Sequence, residues 1–350
     1  MKHLKKLHIN KLFLSSLIAL TGVITFPVAL SSCNSNDASS YYNFICQRTF
    51  SLGIKDDTAP MSEENFGSAT AWIFEKAGDT PYSYYAATCA HVEFAERNLF
   101  PEGSHYYCAF SDSFKDVITQ DEFHQIDDSN IEWMDGSKNN YDFQHLGDFE
   151  RDVGNTGTVD LLVDIAIVKI DFSDLVLGDS VMKKHLDYLD SLDKILNFDF
   201  TLPIEGELRK IKLYCAGLPK SYADSGEMSI SWRMDNDYVN YAHQGLGTYA
   251  SHNHSIDVTV DDDDLDDSMF YSNGMELFVG HGRLDLYHGS SGSLVIDQNY
   301  NVVGTYWGGE MDNYNDRFYG SVEVFQCNAV NYAVQPYDVL QSFHNKIGGQ

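Results

Sequence analysis

The chain has 350 residues, 43% hydrophobic and 13% aromatic, which is enough for a buried core in one large domain or two small ones. Abundant Tyr, Phe and Gly and scarce Pro favour strands and turns over long helices. The formal net charge of −29 excludes a nucleic-acid-binding role, because so acidic a surface repels phosphate groups.

The first 32 residues have the pattern of a lipoprotein signal peptide. Four lysines precede an apolar stretch over residues 12–30, and small residues then lead into Cys33. The segment Leu-Ser-Ser-Cys resembles a bacterial lipobox, in which the cysteine is acylated and becomes the first residue. The alternative is a signal anchor in which Cys33 has no such role. Removal of the four lysines would change the formal charge to about −33.

This pattern predicts a protein held on the extracellular face of the cell membrane, with the lipid on Cys33 as its only membrane contact. The residues after Cys33 are polar and lack periodicity, so residues 33–61 are predicted to form a tether.

The remaining cysteines give no sign of a metal site. Their spacing contains neither a CxxC pair nor a Cys/His ligand pattern, so no zinc is predicted. An odd number leaves at least one thiol free, and the sequence does not decide which cysteines pair. The five are Cys46, Cys89, Cys108, Cys215 and Cys327.

Short apolar runs separated by turn residues predict strands along most of the chain. The clearest runs are Ala69–Glu75, Tyr82–Cys89, Leu161–Phe172, Ile211–Gly217, Leu294–Ile296 and Val302–Trp307. Helices are predicted over Val181–Leu196, capped by Ser180, and over Tyr337–Ile347, stopped by Gly348.

This order of elements predicts two β-barrels in tandem, over residues 62–200 and 201–350, with a connecting helix and a C-terminal helix. The polar stretches Ser111–Asp160 and Tyr222–Gly280 exceed ordinary barrel loops and are predicted to be surface insertions. The acidic run over residues 261–267 lacks the ligand pattern of an EF-hand. It is therefore predicted to be a solvated loop, with cation binding left open.

Two short segments carry candidate catalytic side chains in the first predicted barrel. The run AATCAH ends at His91, and its small residues would let an imidazole lie at a barrel rim. The alternative is an ordinary surface histidine. Asp164 interrupts the aliphatic run DLLVDIAIVKI, so its carboxylate is expected to be buried and to need a partner such as an imidazole N–H. An acid at the exposed end of a strand is the alternative.

The third segment is GSSGS over residues 289–293, followed at once by an apolar hairpin. Its glycines allow a tight bend around Ser291. They would also let the N–H groups of Gly289 and Ser291 point into one hole, where the oxyanion of a tetrahedral intermediate would lie. The hairpin would hold the serine and line one side of a substrate pocket with Thr305, Tyr306 and Trp307. A flexible Gly/Ser turn is the alternative.

The candidates occur in the order His, Asp, Ser, which differs from the orders in subtilisin and in the α/β-hydrolases. With these motifs, the chain resembles the trypsin-like serine peptidases over about residues 67–309, apart from long insertions. The segment GSSGSLVIDQNYNVVGTYWGG is similar to bacterial glutamyl endopeptidases. The lipobox and the segment ATCAHV resemble mollicute surface lipoprotein peptidases related to the mycoplasma immunoglobulin protease.

The resemblance implies a mostly β, chymotrypsin-like fold of two six-stranded barrels and a serine endopeptidase activity. Ser291 would be the nucleophile, His91 the general base and Asp164 the group that orients the imidazole. No cofactor or metal is implied. The implied partner is a protein substrate, with host immunoglobulin and a separate capture protein as the specific expectation.

In the same family pattern, the residue six positions before the serine lies at the floor of the specificity pocket, which here gives Asp285. A carboxylate there would favour cleavage after Arg or Lys. Neighbouring Arg283 could instead neutralise it. The main rival from another class is a non-catalytic surface binding protein. A thiol hydrolase using Cys89 is not favoured, because no separate Cys–His motif accompanies that cysteine.

Overall fold

The computed structural model of the chain describes residues 35–58, 65–93, 100–101, 103–113, 117–134, 145–151, 157–200, 211–222, 228–231, 233–242, 255–256, 268–271, 275–281, 289–312, 317–327 and 337–348. The predicted signal peptide, Cys33, the acidic run at 261–267 and Asp285 lie outside these ranges. Within them, no helix has the length and apolar character needed to span a membrane.

Strands make up most of the described elements. In chain order they are β1 Thr49–Lys55, β2 Phe66–Lys76, β3 Ser83–Thr88, β4 His105–Ala109, β5 Val117–Thr119, β6 His124–Gln125, β7 Ile131–Trp133, β8 His145–Arg151, β9 Gly157–Val163, β10 Ala166–Asp171, β11 Lys212–Gly217, β12 Lys220–Tyr222, β13 Met228–Ser231, β14 Arg233–Ala242, β15 Ser255–Ile256, β16 Ser268–Tyr271, β17 Met275–His281, β18 Ser293–Asp297, β19 Val302–Asp312, β20 Arg317–Val324, β21 Gln326–Cys327 and β22 Tyr337–Asp338. The helices are α1 Ser35–Cys46, α2 Ser180–Asp190 and α3 Val339–Gly348.

Two antiparallel sheets form the framework. The first has seven strands in the order β6-β4-β1-β2-β3-β10-β7, and the second is a closed six-stranded barrel in the order β11-β14-β17-β20-β19-β18. Aromatic contacts join β2 of the first sheet to the segments that follow the barrel. The rings of Trp72 and Phe325, just after β20, are 5.4 Å apart, and those of Phe74 and Phe343 of α3 are 5.6 Å apart. The predicted mostly β fold class, with a connecting helix and a terminal helix, is confirmed. Among the described residues, the first sheet has seven strands and only the second closes into a barrel.

The predicted insertions are smaller than expected and pair with one another. The stretch predicted as an insertion over residues 222–280 contains β14 and β17, which belong to the barrel. Outside the two main sheets, β5 pairs with β13, and β9 pairs in parallel with β16. Strands from the first predicted insertion therefore pair with strands from the second.

The predicted run Leu161–Phe172 is two strands rather than one. β9 ends at Val163 and β10 begins at Ala166, and the chain bends between them, where the N–H of Ile165 donates to the carbonyl of Val163 at 2.8 Å. The bend removes Asp164 from the strand ladder. Its side chain therefore need not follow the alternating directions of the side chains in β9 and β10.

The predicted tether is wrong in extent, because residues 35–55 form α1 and β1. Tyr41, Ile45 and Cys46 lie on one face of α1 and are buried. The ring of Tyr41 stacks on Tyr214 with centroids 3.8 Å apart and on Tyr300 at 4.5 Å. This helix therefore packs against the second barrel, although it immediately precedes the first sheet.

The two predicted helices exist with shifted ends. α2 is capped by Asp179 rather than by Ser180, because the Asp179 carboxylate accepts hydrogen bonds from the N–H groups of Val181 and Met182. The helix ends at Asp190, before the predicted Leu196. α3 begins at Val339 and includes Gly348, the predicted stop.

Candidate active site

His91 follows the end of β3, in a helical segment that begins at Ala90. Its backbone N–H donates to Asp164 Oδ1 at 2.9 Å, and its ring Nδ1 lies 2.7 Å from Asp164 Oδ2. An ionised carboxylate only accepts hydrogen bonds, so this contact requires a proton on Nδ1. In the neutral imidazole, the lone pair then lies on Nε2, where a general base needs it.

Asp164 occupies the bend between β9 and β10, and its side chain is only 1% exposed. Two hydrogen bonds from one residue fix both of its carboxylate oxygens. A carboxylate that is buried and doubly bonded in this way holds the imidazole ring in one orientation and would stabilise its protonated form. The sequence predicted a buried Asp164 with an imidazole partner, and the structure places His91 in that position.

Ser291 lies in the turn between Gly289 and Gly292, just before β18. Both glycines adopt positive φ, +92° and +89°, a backbone conformation that other residues rarely adopt. The Ser291 hydroxyl donates to the carbonyl of Trp307 on β19, at 3.2 Å. Among the described residues this is its only side-chain hydrogen bond, so the resting hydroxyl is turned toward β19.

The serine turn packs directly against the strand that leads to His91. The N–H of Gly292 donates to the carbonyl of Tyr306 at 2.8 Å. A Cβ atom added to Gly292 would collide with the carbonyl oxygen of Thr70 and the hydroxyl of Thr88. Because Thr88 is the last residue of β3, the turn and the histidine approach one another at the same end of the first sheet.

The amides predicted to form the oxyanion hole belong to the turn that carries Ser291. The N–H groups of Gly289 and Ser291 donate to no acceptor in the part of the chain that the structure describes. By contrast, the neighbouring N–H groups of Gly292 and Ser293 donate to Tyr306 and Ser290. Two N–H donors beside a serine hydroxyl are what stabilisation of an oxyanion requires.

Cys89 lies beside the histidine but is unsuited to act as a nucleophile. It is fully buried, and its thiol contacts the carbonyl of Tyr306 at 3.3 Å. Burial is the main cause that raises its pKa well above the usual value, with the charge of Asp164 adding to the effect. A thiol in this environment stays protonated, and the thiolate is the reactive form.

Cys89, His91 and Asp164 also form a group that could hold a metal ion, since their ligand atoms lie within 4.8 Å of one another. His91 Nδ1 and Asp164 Oδ2 are already joined in a direct contact at 2.7 Å. The raised pKa of the thiol also opposes binding, because a metal takes the thiolate. The donor set therefore fits a hydrogen-bonded pair better than a metal centre.

Of the predicted pocket residues on β19, it is the backbone rather than the side chains that faces the candidate site. Thr305 and Tyr306 are almost completely buried, and Trp307 is 6% exposed and packs in a small cluster with Ala69, Cys89 and Val92. Their side chains therefore do not line an open pocket, which corrects that expectation. The carbonyls of Tyr306 and Trp307 do face the serine turn. Asp285 is outside the described residues.

Sequence reasoning missed Thr70, a fully buried residue of β2. Its N–H donates to the carbonyl of Ser291 at 3.0 Å, and its hydroxyl donates to the carbonyl of Gly289 at 2.9 Å. A threonine within a strand has no sequence signal that separates it from any other strand residue. Only the tertiary contacts identify it.

Comparison with known proteins finds similarity to serine proteases. Residues 219–323, less than half of the chain, match the family Peptidase S7, flavivirus NS3 serine protease. No curated protein matches the sequence.

Solved structures give distant likenesses. The active form of the Rv3671c protease from M. tuberculosis is 13% identical, with a TM-score of 0.36 and coverage of 89% of either chain. The mycoplasma MIB and MIP proteins give 14% identity and a TM-score of 0.42, covering 79% of this chain and 54% of that one. The HtrA-type protease AlgW gives 10% identity and a TM-score of 0.36, covering 81% of this chain and 59% of that one. At such values the likeness transfers no residue role.

Proposed function

We propose that the chain is a serine endopeptidase with Ser291 as nucleophile, His91 as general base and Asp164 as the group that orients the base. The observation that carries the proposal is the buried Asp164 carboxylate, which accepts from both the backbone N–H and the ring of His91. The turn with two positive-φ glycines packed against the end of β3 supports the choice of Ser291.

In this mechanism, the Ser291 hydroxyl leaves the carbonyl of Trp307 and gives its proton to Nε2 of His91 as Oγ attacks the scissile carbonyl. The N–H groups of Gly289 and Ser291 would bind the oxyanion. His91 would then pass the proton to the leaving amine, and a water molecule would hydrolyse the acyl-enzyme by the reverse sequence of transfers.

The proposed setting rests on the sequence. The lipobox-like segment before Cys33 supports a lipid anchor and a location on the outer face of the membrane. The resemblance to mollicute surface peptidases supports host immunoglobulin as the substrate, with a separate capture protein as partner. Incubation of the protein with purified immunoglobulin, with and without cell-surface extract, tests the substrate directly.

A fluorophosphonate probe tests the activity, because it reacts only with an activated serine. We expect the probe to modify Ser291 in the folded protein, and both the label and peptide hydrolysis to vanish in Ser291→Ala and His91→Ala. Circular dichroism of each variant establishes that it is folded. Near-normal hydrolysis by Ser291→Ala contradicts the assignment, and a folded wild type without label favours the non-catalytic binding protein.

Asp285 stays a prediction. If it forms the floor of the specificity pocket, a mixed peptide library will be cut after Arg and Lys, and Asp285→Ser will lose that preference. Cleavage without enrichment of basic residues, or a profile that Asp285→Ser leaves unchanged, removes Asp285 from the pocket.

A further inference from the structure

Thr70 makes a set of hydrogen bonds that reaches three segments of the chain. Its hydroxyl donates to the carbonyl of Gly289 at 2.9 Å and accepts from the N–H of Leu218, also at 2.9 Å. Its backbone N–H donates to the carbonyl of Ser291 at 3.0 Å. Its own carbonyl accepts from the Thr88 hydroxyl at 2.9 Å. The residue is fully buried, so no water substitutes for these partners.

These bonds fix the peptide units on both sides of the serine. The carbonyl of Gly289 and the carbonyl of Ser291 are both held by Thr70, and the N–H of Gly292 is held by Tyr306. The unit between them is fixed separately, because the carbonyl of Ser290 accepts from the N–H of Ser293 at 3.0 Å. A planar trans peptide points its N–H opposite to its C=O, so this contact also sets the direction of the Ser291 N–H.

The contacts with Gly289 and Leu218 are the two for which a hydroxyl is needed. Glycine at φ +92° has few steric limits on its backbone, so something outside the turn must select its orientation. The hydroxyl of Thr70 does so by holding the Gly289 carbonyl. The same oxygen is tied to Leu218, which follows β11, so the turn is held between the first sheet and the barrel.

We propose that Thr70 is a positioning residue for catalysis, whose hydroxyl holds the Gly289 carbonyl and thereby fixes the turn that carries Ser291. This inference rests on the proposed endopeptidase function. The hydroxyl of Thr70 thus has a role beyond filling the core. A buried threonine that only packs would tolerate replacement by the isosteric valine without loss of activity.

The test compares Thr70→Val, which removes the hydroxyl and keeps the shape, with Thr70→Ser, which keeps the hydroxyl. Thr49→Val is the matched control. Thr49 is a fully buried threonine of β1 in the same sheet, and its hydroxyl has no partner among the described residues. Each protein is assayed for kcat and KM on one cleaved peptide and for thermal unfolding, at a temperature at which all are folded.

We expect kcat of Thr70→Val to fall by about 10- to 100-fold, less than the loss of a whole oxyanion donor, with KM changed less than about threefold, because only transition-state contacts are lost. Thr70→Ser should recover most of the lost kcat, and Thr49→Val should keep the wild-type kcat. If Thr70→Val does not fold, Thr70→Ala also removes the hydroxyl without adding a methyl group beside the Gly289 carbonyl, and the same fall in kcat is expected.

A folded Thr70→Val or Thr70→Ala with the kcat of Thr49→Val overturns the inference, even if its melting temperature is lower. Failure of Thr70→Ser to recover kcat also overturns it. The Ser291→Ala variant, assayed in parallel, separates this result from failure of the proposed function. If wild type hydrolyses the peptide and Ser291→Ala does not, the function stands whatever Thr70 does.

Discussion

At the scale of single residues, the turn that carries Ser291 has almost no free space around Gly292. A Cβ atom there would meet the backbone oxygen of Thr70, and φ is +89°. Both the steric collision and the positive φ oppose any other residue. Gly78 offers a matched contrast, since its φ is +83° and a Cβ atom would meet nothing within 4 Å.

We therefore expect Gly292→Ala to lower the free energy of unfolding by roughly 3 kcal/mol or more, from strain and steric overlap together. Gly78→Ala should lower it by only about 1 kcal/mol, from the backbone conformation alone. Urea denaturation measures both. Equal losses in the two variants would mean that the turn moves away from Thr70 without cost.

The contact between His91 and Asp164 makes a separate prediction. In Asp164→Asn, the amide oxygen can still accept from one N–H, but the amide nitrogen faces the other and forces the imidazole into the wrong tautomer. We expect kcat to fall by about 10⁴-fold with the fold intact. Asp171→Asn is the control, because Asp171 lies at the far end of β10 and, within the described ranges, accepts only from the nearby Ser173. A loss of similar size in both variants argues against a catalytic role for Asp164.

At the scale of elements, α1 precedes the first sheet in the chain but packs against the second barrel. Tyr41 stacks on two tyrosines of that barrel region and donates its hydroxyl to the carbonyl of Gln298 at 2.8 Å. Tyr41→Ala should cost about 3 kcal/mol or more of unfolding free energy, through the lost packing. Tyr41→Phe keeps the ring and should cost only about 1 kcal/mol. If the two variants lose equal amounts of unfolding free energy, the stacking of the Tyr41 ring does not stabilise the docking of α1.

The elements that the sequence predicted well are those whose signal is local. The apolar runs of β3, β11 and β18 are continuous, and their burial follows from composition alone. α1 was missed because its first half is polar, and the partners of its buried face lie far along the chain. Thr70 was missed for the same reason. The Asp164 bend was visible only as an acid within an aliphatic run, and that pattern does not distinguish a kink from a strand.

At the scale of the whole molecule, the formal net charge of −29 creates a field that attracts cationic substrates. We expect kcat/KM for a peptide with several lysines outside the cleaved bond to fall when NaCl rises from about 20 to 200 mM, as the screening length shortens. A peptide with the same cleaved residues and neutral flanks should change little. The same salt dependence for both peptides would show that the field does not reach the substrate.

The docking of α1 also has a consequence for the order in which the molecule is made. Tyr41 leaves the ribosome 257 residues before Gln298, its hydrogen-bond partner, a delay of roughly 13 to 50 s at ordinary rates of synthesis. Throughout that interval the ring of Tyr41 has nothing from the second barrel to cover it. A chain that stops short of residue 298 never covers Tyr41 in this way. Premature termination would therefore leave the aromatic face of α1 exposed. Chaperones or proteases could recognise the unfinished product by this face.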